Sequence, residues 1–444
     1  GSHEYVDLGL SVKWATCNLG ATSSTDAGWH LAWGEAAPKT YYTWETYLSD
    51  RDGTMTDYDD AGTDKDPLKD YVYGGSHSEG IGATAYDAAT DALGAGYRMP
   101  TQAEFAELAN TDNCEWVWYD EDNTEFNGVA GYKVTSKKTG YTGNSIFFPA
   151  AGYRSGEDLF EGSLGLYRSS TPNPGFANHA YYLYFNSDLV SQYGSDSRYY
   201  GFPVRPVYAP IAEITTDEGT TKYYDADEFI DAFKAIRGEA TVKLLGDITL
   251  PAHAKIESPN AYAKISLDLN GHNIKGNIDD GVINVSVSSL TIGGEGVVEN
   301  IRAGGTVIGV AYNTFLVVNG GSYASVSEVC YVRDGCELTI NAGKFKAPAL
   351  YFKANGWIKP IVKGGLFSMN PSDCVANGYE TVANDDEATK AEYPYKVVEK
   401  SLTPTAIERI NADKAQKAIK TIENGKIIII REGEKFNLNG TRLK

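Results

Sequence analysis

The chain has 444 residues, 42% of them hydrophobic, with 59 acidic against 39 basic side chains and a net charge of −20. That length holds two or three domains. A field of that sign repels phosphate backbones and anionic lipid, so neither nucleic acid nor a bare membrane surface is an expected partner.

No segment approaches the ~20 consecutive apolar residues that cross a bilayer as a helix, so direct membrane insertion is not expected. The sequence opens Gly1-Ser2-His3 and runs straight into the strand-like EYVDLGL without a signal peptide. A trimmed chain begins this way, and export stays open.

Residues 1–208 are dense in Tyr, Trp, Gly and Ser, with short strand-like runs. One helix is predicted from Pro100-Thr101, where Glu104 completes a capping box and Phe105 and Leu108 share a face. The acidic run DRDGTMTDYDDAGTDKD between Ser49 and Asp66 invites a calcium reading. Its loop Asp57-Tyr58-Asp59-Asp60-Ala61-Gly62 has Ala61 where a third oxygen ligand belongs and lacks a closing bidentate Glu, so it reads as a solvated loop.

The cysteines are Cys17, Cys114, Cys330, Cys336 and Cys374, with no CxxC pair and no His at ligand spacing. No zinc site, other metal or cofactor is expected. Cys17 and Cys114 are candidates for a disulfide in an exported chain, whereas Cys330 and Cys336 read as buried apolar fillers.

The segment ANHAYYLYFNSDLVSQYGSDSRYYG is the candidate binding surface, with Tyr181, Tyr182, Tyr184, Tyr193, Tyr199 and Tyr200 among Asn, Ser, Asp and Gln. Tyr rings offer large, stiff contact area at low entropy cost. Strand alternation sends either Tyr182 and Tyr184 or Tyr181, Leu183 and Phe185 to the core, so about half of these aromatics are expected inside. Arg154 and Arg205 read as buried structural arginines.

Composition shifts around Pro206-Tyr208-Pro210. From Asp225 an amphipathic helix carries Phe229, Phe233 and Ile236 on one stripe and ends at Gly238. Five stretches then repeat one pattern roughly every 22 to 26 residues: LDLNGHNI, LTIGGEGV, LVVNGGSY, LTINAGKF and PIVKGGLF. The first slot holds Leu267, Leu290, Leu316, Leu338 and Pro360; the third holds Leu269, Ile292, Val318, Ile340 and Val362. The eighth holds Ile274, Val297, Tyr323, Phe345 and Phe367.

A short alternating strand, a glycine turn and one large apolar residue describe a coil of a right-handed parallel β-helix, with residues 242–250 as entry strand and the Asp225 helix as cap. The coils are expected to stop at Pro371. Catalysis on this array would need carboxylates stacked on one outward face. The outward second slot instead carries Asp268, Thr291, Val317, Thr339 and Ile361, while Asp279-Asp280 and His272 read as turn residues. No enzyme activity is expected.

The tail from Ser401 reads as a helix over 405–424, then two strands joined at Glu432-Gly433. Ile427 to Ile430, Phe436 and Leu438 require another surface, on the end of the β-helix or on a partner.

Several stretches of residues 4–207 resemble the FISUMP family, the major paralogous domain of bacterial surface proteins. They are EYVDLGLSVKWATCNLGA (4–21), AWGE (32–35), DAA (87–89), GYRMPTQAEFAEL (96–108), GNSIFFPAAGYRSG (143–156), YRSST (167–171) and SRYYGFPVRPV (197–207). Arg168 replaces the Trp of that family's YWSST and joins the tyrosines as a candidate ligand-binding residue. The resemblance implies an α+β C-type-lectin-like fold, shared with formylglycine-generating enzymes. Their late reactive cysteine has no counterpart between Gly152 and Val207, so a binding scaffold rather than an enzyme is implied.

The coils and DCVANGYE (373–380) resemble pectate-lyase-type β-helices appended to bacterial adhesins, and the tail resembles C-terminal hairpins of surface proteins of gut-type anaerobes. The expected organisation is a lectin-like domain at 1–208, a β-helix at 209–400 and a helix/β-hairpin tail at 401–444. The implied function is an exported cell-surface adhesin, its tyrosine-rich site taking a glycan or a host or neighbouring-cell protein. The alternatives are a polysaccharide lyase or hydrolase on the β-helix face, and a structural surface-layer or fimbrial component.

Overall fold

The computed structural model describes residues 4–49, 54–94, 96–161, 163–259, 262–353, 357–400, 418–423, 426–431, 434–437 and 441–443. The described residues are mostly β, with α-helices at Ala88–Leu93 (α1), Gln102–Ala109 (α2) and Ala226–Ala235 (α3).

Residues 238–367 coil into a parallel β-solenoid of about five turns. One face stacks Gly238–Leu244, Ala263–Asp268, Ser289–Gly293, Phe315–Ser325 and Glu337–Lys346 in parallel. A second face runs from Ile274–Gly276 through Val297–Asn300 into the far halves of the same long strands. The third stacks Ile256–Glu257, Gly281–Ser286, Thr306–Ala311, Glu328–Val332 and Ala349–Tyr351.

Alternation sends one side chain in two to the interior. Leu290, Leu316 and Leu338 are each 1% exposed, and Ile292, Val318, Ile340 and Val362 are sealed completely. Tyr323, Phe345 and Phe367 form an internal ring stack with centroids 5.2 and 4.9 Å apart. Gly343 and Gly365 turn the chain at positive φ beneath these rings; a Cβ on Gly365 would stand 2.9 Å from the Gly343 carbonyl oxygen, so the corner admits only glycine.

The structure corrects the repeat in two of its coils. Leu267 pairs with Ile292, and Ile265 with Leu290, so the first coil lies two residues out of the predicted register. A slip of two preserves the face, and Ile265, Leu267 and Leu269 are all buried. In the second coil the eighth slot belongs to Val298, which aligns with Ile274 and Tyr323. Val297 faces outward and is 37% exposed.

Both ends of the stack are covered. Asp225 caps α3 by accepting the Glu228 N–H at 2.9 Å, and Phe229 and Phe233 enter the solenoid core. The antiparallel hairpin of Ala212–Thr216 and Gly219–Tyr223 continues the sheet beside α3. At the far end Tyr395–Glu399 pairs antiparallel with Gly365–Phe367 and then with Tyr379–Ala383.

Ahead of the solenoid lies a head built from short sheets. Lys13–Ala15, Tyr97–Arg98 and Val207–Tyr208 share one of them, so both ends of the head meet there. The predicted α2 cap is present: Thr101 Oγ1 accepts the Glu104 N–H at 3.2 Å, and Glu104 accepts the Thr101 N–H at 2.8 Å. The five cysteines are buried and no disulfide joins Cys17 to Cys114. The acidic loop is not simply solvated, because Asp60 and Asp66 are 8% and 2% exposed and ion-paired to Lys65 and Arg198.

The tail differs from its reading. Ala418–Glu423 is a strand, not the end of a helix, and pairs antiparallel with Lys426–Arg431; residues 405–417 and Leu438 lie outside the described residues. The predicted return strand is Glu434–Phe436, pairing Arg431 with Glu434. Every described tail strand pairs with another tail strand.

The corrected register has a direct test. Val298→Asp should cost about 3–5 kcal/mol by burying an unpaired charge, while Val297→Asp should change stability by less than about 0.5 kcal/mol. Thermal melts giving equal losses for the two variants would overturn the assignment.

Candidate functional site

The tyrosine-rich segment forms two strands of a three-stranded antiparallel sheet, Gly165–Pro172, His179–Phe185 and Val190–Ser197. Leu183 and Phe185 are fully buried against Phe105 and Leu108 of α2, and Tyr181 shares their side of the strand. Tyr182 and Tyr184 therefore point the other way.

On that side the rings collect. The Tyr182 ring meets Phe202 at 5.0 Å, and Tyr200 lies 4.4 Å from Tyr199 and 5.8 Å from Tyr153. Trp44 meets Tyr199 edge-on at 5.1 Å, and Phe160, 43% exposed, stacks on Tyr153 at 4.7 Å. Tyr193 stands on an irregular stretch of pairing between the last two strands and is 71% exposed. Desolvation holds the Tyr182 and Tyr199 hydroxyls above their ordinary range, so they stay protonated and able to donate.

The structure thus links Tyr182, Tyr199 and Tyr200 through ring contacts with Phe202 and one another; Tyr181 and Tyr184 are half-buried on opposite sides of their strand, and Tyr193 is exposed. Arg168 is not at the surface. It is 0% exposed, with its guanidinium 3.8 Å from the Phe202 ring centroid, and Nη2 donates to the carbonyls of Ser197 at 3.2 Å and Tyr200 at 3.0 Å. Burial lowers its pKa to about 10, leaving it charged at neutral pH. Arg168 is a positioning residue: it fixes the backbone on both sides of Tyr199 from within.

Two further arginines act similarly. Arg205 is buried as expected, donating to Asn18 Oδ1 at 2.8 Å and to the Ala15 and Phe147 carbonyls. Arg198, which the sequence reading missed, forms a completely buried ion pair with Asp66 at 2.6 Å, beside the rings of Tyr47 and Trp33.

Arg154 departs from its structural reading. It is half-buried in the strand Tyr153–Ser155 and faces a cleft of about 440 Å³ shared with Trp29, Lys39, Tyr42 and Glu157. Trp29 closes the polar loop GATSSTDAG, and an aromatic residue at the end of such a loop was the available signal.

A larger furrow of about 710 Å³ runs along the solenoid over the glycine corner. Gly271, Gly296, Gly321, Gly343 and Gly365 line it, and its carboxylates Glu295 and Asp386 are separated by rungs carrying Ser322, Lys344 and Leu366. The head concentrates more recognition chemistry, joining aromatic faces to donors and a cation in less space. Among the described residues no group of three or more His, Cys, Asp or Glu side chains is placed to hold a metal ion.

Comparison with protein-family models, with curated proteins and with solved structures returns no match.

Arg168→Met should cost about 2–4 kcal/mol, because several buried carbonyls lose their donor at once. A melting temperature within a degree of the parent would show that the arginine does not hold the segment. Acid should also weaken the head. Burial depresses the His30 pKa below its ordinary 6.5, so the unfolded chain binds the extra proton and stability falls as pH drops below that value. His30→Asn should flatten the decline between pH 6.5 and 5, with a residual slope from His179, whose pKa is also lowered by burial.

Proposed function

We propose that this chain is an exported, non-enzymatic bacterial surface protein. Its head, read as C-type-lectin-like and FISUMP-like, binds a glycan or a protein through the tyrosine surface, and the solenoid, read as a right-handed parallel β-helix, is its stalk. One observation carries the reading: the half-buried Tyr182, Tyr199 and Tyr200 are linked ring to ring through Phe202, on a scaffold braced by Arg168, and Tyr193 projects into solvent from the neighbouring strand.

Rigid rings with accessible hydroxyls bind at low conformational cost, because little side-chain freedom is lost on contact. Single exposed apolar residues are ordinary on a protein surface; a contiguous aromatic group is not. The partner remains either glycan or protein, since tyrosine serves both.

Tyr193→Ala combined with Tyr199→Ala should abolish binding on glycan and cell-surface-protein arrays. Tyr193 is largely exposed, so its own substitution should leave the melting curve within about 0.5 kcal/mol of the parent. Binding that survives the double substitution would move the site off this surface.

A further inference from the structure

We infer that the Trp29–Arg154 cleft of the head is a second binding site, and that its ligand is a carboxylated sugar ring. The geometry of the cleft carries this without the tyrosine surface. Successive residues of a strand point to opposite sides. Tyr153 joins the aromatic group while Arg154 turns into the cleft.

The walls are built rather than incidental. The Trp29 indole lies flat on Gly20, where an added Cβ would come within 2.3 Å of the ring, and Gly20 holds a φ of +78°. A side chain at position 20 would lift the ring away, so one indole face is seated on backbone. Trp29 is 37% exposed and lines the cleft. Tyr42, which also lines the cleft, is 1% exposed and fixed beneath it: its ring packs against Gly201, where a Cβ would stand 2.5 Å away, and its hydroxyl donates to the His30 carbonyl.

The charges select the ligand. Lys39 is already occupied: its ammonium donates to Glu35 at 2.7 Å and to the Thr46 carbonyl at 2.9 Å. Arg154 is held only through its backbone, which exchanges hydrogen bonds with Gly201 at 2.8 and 3.0 Å. Its guanidinium has no hydrogen bond or ion pair among the described residues. In a chain of net charge −20, a half-buried arginine without a carboxylate partner is an opening for one supplied from outside.

Glu157, exposed at the rim, would repel a multiply charged phosphate but accepts hydrogen bonds from hydroxyl groups. One carboxylate for Arg154, hydroxyls for Glu157 and Thr40, and a C–H-lined face for Trp29 together describe a sugar acid. A volume of about 440 Å³ lies near the lower end of ordinary ligand pockets, with room for about two sugar rings.

The test titrates the full chain with methyl β-D-glucuronide and with its neutral counterpart methyl β-D-glucoside, following heat and indole fluorescence. Saturable binding of the glucuronide is expected, with the glucoside weaker by roughly tenfold or more, one charge-assisted contact being worth about that factor. Arg154→Gln should bring the glucuronide down to the glucoside's level at an unchanged melting temperature, and Arg154→Lys should recover only part of the loss. Equal binding of the two sugars, no binding of either, or an Arg154→Gln protein that binds as the parent would each overturn the assignment. Arg154→Gln leaves Tyr193 and Tyr199 intact, so array binding through the tyrosine surface persists in that variant and the two sites are scored separately.

Discussion

No coil of the solenoid can bury its own apolar side, and that constraint organises everything after residue 238. A coil alone would order its backbone at about 1–2 kcal/mol per residue. It would gain two or three buried side chains at about 1.5–3 kcal/mol each only if something covered them. Stacking supplies the cover. It also forces parallel pairing, because each coil must repeat the course of the last. The Tyr323–Phe345–Phe367 stack shows the result, with near-parallel rings tilted by 9° and 12°. The same constraint makes the ends vulnerable, which is why α3 and its hairpin close one end and the antiparallel strands Tyr379–Ala383 and Tyr395–Glu399 the other.

The head meets a different difficulty. Its strands are short and its loops long, so many carbonyls have no ladder partner. Buried arginines take that place. A guanidinium brings five donors in a rigid fork, so Arg205 ties Ala15, Asn18 and Phe147 together across the fold, and Arg168 ties Ala180, Ser197 and Tyr200. Burying a cation costs several kcal/mol, and three hydrogen bonds at Arg168, four at Arg205, and an aromatic face against each ion offset it. These ions act as latches of loop geometry. The tyrosine surface depends on them, since the segment carrying Tyr199 and Tyr200 has little regular structure of its own.

The solenoid was legible because a period of two survives any slip by an even number of residues, but the same property hid its register. Ile265, Leu267 and Leu269 have one parity, so a slip of two leaves every apolar residue inside. Val297 and Val298 follow a glycine-rich turn of uncertain length, and only the neighbouring coil decides which enters. In the tail, AIKTIE reads locally as helix; strand pairing with Ile427–Ile430 overrides that preference. The candidate site of the head was half legible. Aromatic clustering marked the surface, yet Arg168 proved to be buried, and the openness of Arg154 depends on which carboxylates fail to reach it. That is a three-dimensional fact with no local signal.

Head and solenoid are not joined by a loose linker. Val207–Tyr208 still belongs to a head sheet, and Ala212–Thr216 already belongs to the long sheet of the solenoid. Across the junction Tyr208 stacks between Tyr5 at 4.6 Å and Tyr224 at 5.4 Å, with Tyr97 at 4.9 Å, and the Lys13 ammonium lies 3.8 Å from the Tyr224 ring centroid. Lys222 adds a hydrogen bond to the Ser11 carbonyl at 3.2 Å. Aromatic pairs contribute about 0.5–1.5 kcal/mol each beyond their buried area, and a partly desolvated cation–π contact adds a comparable amount. Several such contacts at a short junction hold the two parts at one angle. A head held at a fixed angle surrenders less orientational freedom on binding than one on a flexible tether. On the proposed function, the junction would give the solenoid a role in affinity as well as in reach.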